Sequence, residues 1–135
     1  MKVLLTGSSK GIGHKIAEDL LAEGHELALH YNKNESPLKA LLKKDKTGSF
    51  PIQADLSMQD EIKKMVVNTI DKLSFPDCII NNAGIAESAD ISIDISNWSK
   101  MFDRTIDVNL KAPSIIFKEF LKYKREKKIN SRLRI

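Results

Sequence analysis

Residues 6–13 read TGSSKGIG, and this glycine-rich stretch decides which fold the chain is expected to adopt. It follows a short apolar run, Val3–Leu5, that predicts a buried strand, and it leads into apolar residues at helical spacing. Gly7 permits a sharp turn, Gly11 lets a pyrophosphate approach the backbone, and Gly13 lets the helix pack closely on the strand. Because the N–H groups of a first helical turn have no partners within the helix, the stretch predicts a site for phosphate.

Strand and helix patterns alternate along the rest of the chain. This alternation predicts parallel strands joined by right-handed crossovers, and therefore an α/β fold with one doubly wound parallel sheet. Ligands of such sheets bind at the carboxyl ends of the strands. We expect Gly24 to end the first helix and Ser57 to cap the third. The predicted strands cover residues 3–5, 27–31, 49–54 and 78–80, with a fifth beginning at residue 132, and the predicted helices cover residues 12–22, 37–42, 58–70 and 98–121.

The composition is that of a single globular domain, with 41% hydrophobic and 30% charged residues in a chain of 135. No apolar run approaches the roughly 18 residues that a membrane helix needs, and no secretory leader is recognisable, so we expect a cytoplasmic protein without a membrane partner. The single cysteine, Cys78, excludes an internal disulfide. The three histidines lack metal-ligand spacing and are expected at the surface or at strand ends, so no metal is predicted.

The net charge of +4 comes from the C-terminal end, where eight Lys and Arg residues fall between positions 118 and 134. A basic stretch of this kind can contact nucleic acid. No helix-turn-helix pattern accompanies it, and we interpret it as a solvated helix face. No nucleic-acid partner is predicted.

Three further motifs follow the glycine-rich stretch in order. Asp55-Leu56 ends the third predicted strand, residues 81–84 read NNAG after the fourth, and Asn109 lies in the segment DVNL. Together with TGSSKGIG, these motifs resemble the short-chain dehydrogenase/reductase family, which has TGxxxGxG where other dinucleotide-binding folds have GxGxxG. The resemblance covers essentially the whole chain. It implies a Rossmann-type sheet, here stopping at the start of its fifth strand, with residues 1–135 forming the NADP(H)-binding portion.

The resemblance implies a role for each matching residue, and the residue chemistry leaves a second interpretation open for some. The Asp55 carboxylate would accept a hydrogen bond from the adenine amino group, or it only caps a helix or loop. The small side chains of residues 82–84 would let ribose or nicotinamide lie close to the backbone, or the asparagines only tie adjacent strands together. Asn109, the one catalytic candidate, would help to hold a water molecule of a proton relay, or it is a plain surface residue. The implied cofactor-binding residues are Gly7, Ser9, Lys10, Gly11, Ile12, Gly13, Tyr31, Asn32, Asp55, Leu56, Asn82, Ala83 and Gly84.

The predicted cofactor is NADP(H) in preference to NAD(H). An acidic residue after the second strand usually holds the free ribose diol of NAD(H), whereas here the strand ends in the sequence Tyr31-Asn32-Lys33. Lys10 adds a positive charge where many NADPH-using relatives have a basic residue. A 2′-phosphate requires such positive charge.

The family transfers a hydride between the cofactor and a carbonyl or alcohol carbon, using a serine and a YxxxK pair. Residues 123–127 read YKREK and match YxxxK in letters. They come too soon after Asn109, inside the helix that should precede the fifth strand, so we regard the match as coincidental. We therefore expect a truncated family member that is inactive by itself.

The forms TGSSKGIG and NNAG are similar to those of the 3-oxoacyl-[acyl-carrier-protein] reductase type, so the full-length substrate would be a small carbonyl or alcohol compound. The alternative is a non-catalytic nucleotide-binding or dimerisation module. The helices of residues 98–128 match those that pair subunits in the family, and a homo-oligomer is therefore expected.

Overall fold

A computed structural model describes all residues from 1 to 135. The confirmed fold class is α/β, with strands and helices alternating along the chain. None of the helices combines the length and apolar composition needed to cross a bilayer. The strands are β1 (Lys2–Leu5), β2 (Glu26–Tyr31), β3 (Phe50–Gln53) and β4 (Cys78–Ile80), and the helices are α1 (Gly11–Ala22), α2 (Ser36–Leu42), α3 (Gln59–Leu73), α4 (Ile95–Ile106) and α5 (Ala112–Glu126).

The four strands form one parallel sheet in the order β3-β2-β1-β4. The chain moves outward from β1 to β3 and then returns to the other side of β1, so the order reverses between β1 and β4. At the outer edge of β4, Arg134 pairs with the strand in parallel: its N–H donates to the Asp77 carbonyl, and its carbonyl accepts from Ile79 N–H, both at 2.9 Å. The expected fifth strand is thus represented by a single bridge.

Both faces of the sheet are covered, because the apolar residues of the strands alternate between them. Val3 and Leu5 face α1 and α2, whereas Leu4, between them, packs with α3 and α5. The α1 and α2 side holds a small core of Val3, Leu5, Ala17, Leu27, Leu29 and Leu38. The α3 and α5 side holds the larger core, which includes Ile52, Ile62, Met65, Leu73, Ile79, Ile116 and Phe120.

The sequence predicted a cap at the end of α1 and another at the start of α3, and only the first is present. Gly24 has a positive φ of 78° directly after α1, and its N–H donates to the Leu21 carbonyl while His25 N–H reaches the Leu20 carbonyl. This is the glycine cap that was predicted. The prediction that Ser57 caps α3 is wrong: the hydroxyl of Ser57 donates to Asp55 Oδ1 at 2.7 Å, and α3 begins at Gln59 without a side-chain cap. A nearby carboxylate attracted the hydroxyl away from the helix.

A π-helical turn, residues Asp107–Lys111, joins α4 to α5 without a break, so residues 95–126 form one continuous helix. Within it the N–H of Ala112 donates to the Asp107 carbonyl, five residues earlier. Pro113 has no N–H and its ring would clash with the carbonyl of Asn109, four residues before it. A wider turn relieves that clash, and such turns often mark functional positions in helices.

Candidate cofactor site

A cavity of about 610 Å³ opens at the carboxyl ends of the strands, where the strand order reverses. This is the edge at which doubly wound sheets bind their ligands. Every cofactor-binding residue predicted from the sequence lines this cavity. They are Gly7, Ser9, Lys10, Gly11, Ile12, Gly13, Tyr31, Asn32, Asp55, Leu56, Asn82, Ala83 and Gly84.

Unpartnered backbone N–H groups line one wall of the cavity. The first hydrogen bond at the start of α1 runs from His14 N–H to the Lys10 carbonyl, at 3.3 Å. The N–H groups of Gly11, Ile12 and Gly13 precede it, and all three residues line the cavity. Their partial positive charge and that of the helix terminus favour an anion here.

The start of α1 lies against the turn after β1 with no space for side chains at two positions. A Cβ at Gly13 would overlap the Gly7 carbonyl and the amide nitrogen of Asn82. A Cβ at Gly7 would lie 2.8 Å from the Cα of Ala83, and its φ of 69° disfavours other residues. The close approach predicted for Gly13 and the turn predicted for Gly7 are both present.

Thr6 and Asn82 fasten this turn to the end of β4. The Thr6 hydroxyl oxygen accepts hydrogen bonds from the N–H groups of Asn82 and Ala83, both at 3.0 Å. The Asn82 side-chain amide donates to the carbonyls of Thr6 and Gly7, at 3.0 and 3.1 Å. Asn82 thus ties adjacent strands together, which is the second interpretation left open by the sequence, while also lining the cavity.

Asp55 lies on the opposite side of the cavity with half of its carboxylate engaged. Oδ1 accepts from the N–H and the hydroxyl of Ser57, at 2.9 and 2.7 Å, whereas Oδ2 accepts no hydrogen bond within the protein. Partial burial raises the pKa of this carboxyl. The Ser57 hydrogen bonds and the charges of Arg104 and Lys33 outweigh that effect and hold the pKa below its usual value. Asp55 is therefore an ionised acceptor at neutral pH.

The loop after β2 supplies a polar and basic rim. Tyr31, Asn32, Lys33 and Asn34 line the cavity in succession. Lys33 is exposed, and neither it nor Lys10 forms an ion pair within the protein. The first acidic residue of the loop, Glu35, does not line the cavity and instead pairs with Lys39 at 2.7 Å.

Asn109 does not line the cavity but holds the segment that leaves it. Its Oδ1 accepts from Ile85 N–H at 2.8 Å, and its Nδ2 donates to the Ile85 carbonyl at 2.7 Å. Both polar atoms of the side chain thus fasten the chain after NNAG to the helix. Its main-chain carbonyl is the one that Pro113 deprives of an α-helical donor, which leaves it with capacity to accept from a ligand or water.

Sequence reasoning missed several residues of the cavity wall: His30, Lys33, Asn34, Ile85, Arg104 and Val108. Arg104 lies on α4 one helical turn before Val108, and its Nη1 is 3.0 Å from Glu87 Oε1. The i, i+4 spacing of Arg104 and Val108 was a usable signal that both face the same way. His30 was expected at a strand end, and it does lie near the end of β2, but it is only 2% exposed.

Tyr123, the tyrosine of the YxxxK match, lies on α5 and does not line the cavity. Its ring packs against the larger core, and Lys127 Nζ lies 6.0 Å from the ring centroid. The pair accordingly lies on α5 away from the cavity, with the tyrosine half-buried and the lysine exposed.

We predict that Gly13→Ala destabilises the fold by at least about 2 kcal/mol, since the methyl group meets backbone atoms that have no room to move. Gly24→Ala is the matched control: its φ is 78° and nothing lies within 4 Å, so only the backbone strain of about 1 kcal/mol applies. Urea unfolding followed by circular dichroism measures both. Equal losses for the two variants would contradict the close approach of α1.

Known proteins resemble this chain both in sequence and in fold. The family model described as short chain dehydrogenase matches residues 1–130. The 3-oxoacyl-[acyl-carrier-protein] reductase FabG of Staphylococcus epidermidis is 33% identical over 111 residues, which are 80% of this chain and 44% of that protein. The chain spans about half the length of the curated relatives it matches.

Two solved structures with a similar fold are complexes with a nicotinamide cofactor. A 4-hydroxyisoleucine dehydrogenase complexed with NADH is 28% identical, with a TM-score of 0.80 over 98% of this chain and 52% of that one. FolM from Brucella canis, complexed with NADP, is 27% identical, with a TM-score of 0.74 over 90% of this chain and 48% of that one. The resemblance recognised in the sequence is confirmed, and this chain belongs to the short-chain dehydrogenase family.

Proposed function

We propose that residues 1–135 form the NADP(H)-binding portion of a short-chain oxidoreductase. One observation carries the proposal: a single cavity at the strand ends combines the unpartnered N–H groups at the start of α1 with an ionised, half-free Asp55 carboxylate and a basic rim. These are the groups that a pyrophosphate, an adenine amino group and a 2′-phosphate require. The cofactor, when bound, supplies or takes up the hydride.

Each part of the cofactor has residues suited to it. Gly11, Ile12 and Gly13 would hold the pyrophosphate through their N–H groups. Asp55 Oδ2 would accept from the adenine amino group, and the apolar side chains of Leu56 and Val108 would contact the ring. Ala83 and Gly84, which carry little or no side chain, would leave space for the ribose and nicotinamide.

The basic rim favours NADP(H) over NAD(H), although similar proteins are described with either cofactor. A ribose diol is commonly held by a carboxylate after β2, and the only nearby candidate, Glu35, is already paired with Lys39. Lys10 and Lys33 instead present two unpaired positive charges to the cavity. A 2′-phosphate would neutralise them.

We predict that Lys10→Ala lowers the NADPH affinity roughly tenfold while changing NADH affinity about twofold or less, because only NADPH brings a phosphate to this side chain. The control is Lys15→Ala on the same helix, where Lys15 is exposed and paired with Asp19 at 2.9 Å. Fluorescence titrations with both cofactors give the affinity ratio. If the ratio of NADPH to NADH affinity is unchanged in Lys10→Ala, the assignment of the 2′-phosphate to this lysine is wrong.

The complete enzyme would reduce a small carbonyl compound, or oxidise the alcohol, in the manner of the 3-oxoacyl-[acyl-carrier-protein] reductases it resembles. In that reaction the Asn109 carbonyl, freed by Pro113, would hold a water molecule that passes on a proton. Tyr123 packs against the core away from the cavity, so we propose that this chain binds cofactor without turning over substrate by itself. The cytoplasmic location and the lack of nucleic-acid or membrane partners stay predictions.

We further propose that the continuous helix pairs with a second copy of this chain. An exposed apolar stripe follows one face of α4, the π-helical turn and α5 at helical spacing. Trp98 and Phe102 stack within it at 5.3 Å between ring centroids. The stripe consists of Ile95, Trp98, Phe102, Ile106, Leu110, Phe117 and Leu121, each 38–78% exposed. Apolar surface of this extent is typical of an interface.

The double variant Phe102→Gln/Leu121→Gln is predicted to be monomeric at concentrations where the unaltered chain is dimeric, because it removes apolar contacts from both halves of the stripe. Lys100→Gln/Lys122→Gln, on exposed positions of the same helices, is the control and should leave the dimer intact. Sedimentation velocity gives the mass. If the unaltered chain is monomeric at about 100 μM, the proposed pairing is wrong.

A further inference from the structure

His30 is a buried polar residue that the proposed function leaves without a role. Only 2% of it is exposed, yet its ring reaches the wall of the cofactor cavity. Both ring nitrogens have partners: the Gly7 N–H donates to Nδ1 at 3.1 Å, and Nε2 lies 3.0 Å from the Ala54 carbonyl oxygen. A carbonyl only accepts and an N–H only donates. The ring is therefore the neutral tautomer with its hydrogen on Nε2.

These two partners belong to opposite sides of the cavity. Gly7 begins the turn that leads to the phosphate-binding start of α1, and Ala54 precedes the adenine-side Asp55. The backbone around His30 adds to the connection, because its own carbonyl accepts from the N–H and the hydroxyl of Ser8, both at 2.9 Å. Asn82 holds the same turn from the β4 side, so the turn is fixed between two neighbouring strands.

We propose that His30 is a positioning residue whose Nδ1 forms the bridge that holds the glycine turn to β2. The bond from Nε2 to Ala54 keeps the ring in the tautomer that can accept from Gly7, and the bridge exists only while the imidazole is neutral. A second proton would place an N–H on Nδ1 opposite the Gly7 N–H, and two donors cannot share a hydrogen bond. The turn would then move, and the N–H groups of α1 would move with it. The expected effect of His30 on cofactor affinity rests on the proposed function, but the hydrogen bond between Gly7 and His30 can be tested without cofactor.

The surroundings of the ring decide the direction of the pH effect. Burial lowers the pKa of His30 below its usual value, and the bond to Ala54 and the charge of Asp55 only partly oppose this. The other titratable groups on the adjoining elements, Lys10, His14 and Lys33, are partly or fully exposed. Since the folded protein resists protonation of His30, its contribution to stability is complete above about pH 6.5, the usual pKa of histidine, and is lost as the pH falls below that value. Affinity falls at the lower pH at which His30 of the folded protein takes up a proton.

Two isosteric variants separate the two hydrogen bonds. Asparagine places its amide oxygen where Nδ1 lies and can still accept from Gly7, whereas glutamine places its amide nitrogen where Nε2 lies and can donate only to Ala54. Neither side chain titrates. At pH 7.5 we expect His30→Asn to retain NADPH affinity within about threefold, and His30→Gln to lose roughly five- to tenfold. Equal losses in both variants would overturn the bridge as the source of the affinity.

The proton dependence is read from the ratio of the two affinities, unaltered chain over His30→Asn. It is measured from pH 7.5 down through the pH at which the NMR signals of the His30 ring show that it takes up a proton. Titration of the cofactor phosphates affects both proteins equally, so a fall of threefold or more in this ratio is expected from His30 alone. A constant ratio would overturn the requirement for a neutral ring.

Hydrogen exchange of the Gly7 amide, measured without cofactor, distinguishes failure of the proposed cofactor function from failure of the His30 bridge. It should be protected in the unaltered chain and in His30→Asn, and exchange several times faster in His30→Gln. If the unaltered chain binds neither NADPH nor NADH, the proposed function fails while this pattern still supports the bridge. Equal exchange in all three proteins overturns the bridge whatever the cofactor does.

Discussion

The contact between the start of α1 and the turn after β1 is the constraint on which the rest of the site depends. Position 13 has no space for a Cβ because the Gly7 carbonyl and the Asn82 amide already occupy it. Only such a close approach brings the unpartnered N–H groups of α1 into line with the carboxyl ends of the strands. The turn cannot relax, since Asn82 holds it from β4 and His30 holds it from β2. The wall that we propose binds phosphate is thus formed without a ligand.

The charges around this wall are arranged to bind a ligand that has several phosphate groups and a base with an amino group. The backbone provides partial positive charge at the centre, while Lys10 and Lys33 add full charges at the rim. Asp55 would repel phosphate, but it lies on the far side and is neutralised in part by Arg104 and Lys33. Its free oxygen is then available to a donor such as an amino group. Lys33 therefore acts both on Asp55 and at the proposed 2′-phosphate position, which lie at the adenosine end of the proposed cofactor.

The elements of the fold were predictable from the sequence because they depend on local patterns. Short apolar runs between turns predicted the four strands, and Gly24 marked the end of α1. The predicted cofactor residues met at one cavity because the carboxyl ends of parallel strands share an edge of the sheet. Ser57 was misassigned because two neighbouring groups competed for its hydroxyl, and the sequence does not say which of them wins.

Residues whose roles depend on distant contacts were not predictable. His30 looks like any strand-end histidine until Gly7 and Ala54, 23 and 24 residues away, are seen on either side of its ring. Arg104 is one of four arginines in the chain, and although it shares a helix face with Val108, only the packing of α4 places it over the cavity. The π-helical turn was not predicted, although it contains Asn109 and is followed by Pro113, and its width depends on how the whole helix packs against α3 and the sheet. Such features follow from tertiary structure and not from local propensity.

The most direct test of the central claim is a titration of the isotopically labelled chain with NADPH, followed through its amide signals by NMR. We predict that the N–H signals of Gly11, Ile12 and Gly13 shift most, saturably and together, as they donate to the pyrophosphate. Gly24 and Gly48, which are glycines outside the cavity, serve as references and should not move. Saturable binding that shifts the basic residues 118–134 and leaves the start of α1 unchanged would contradict the assignment of this cavity.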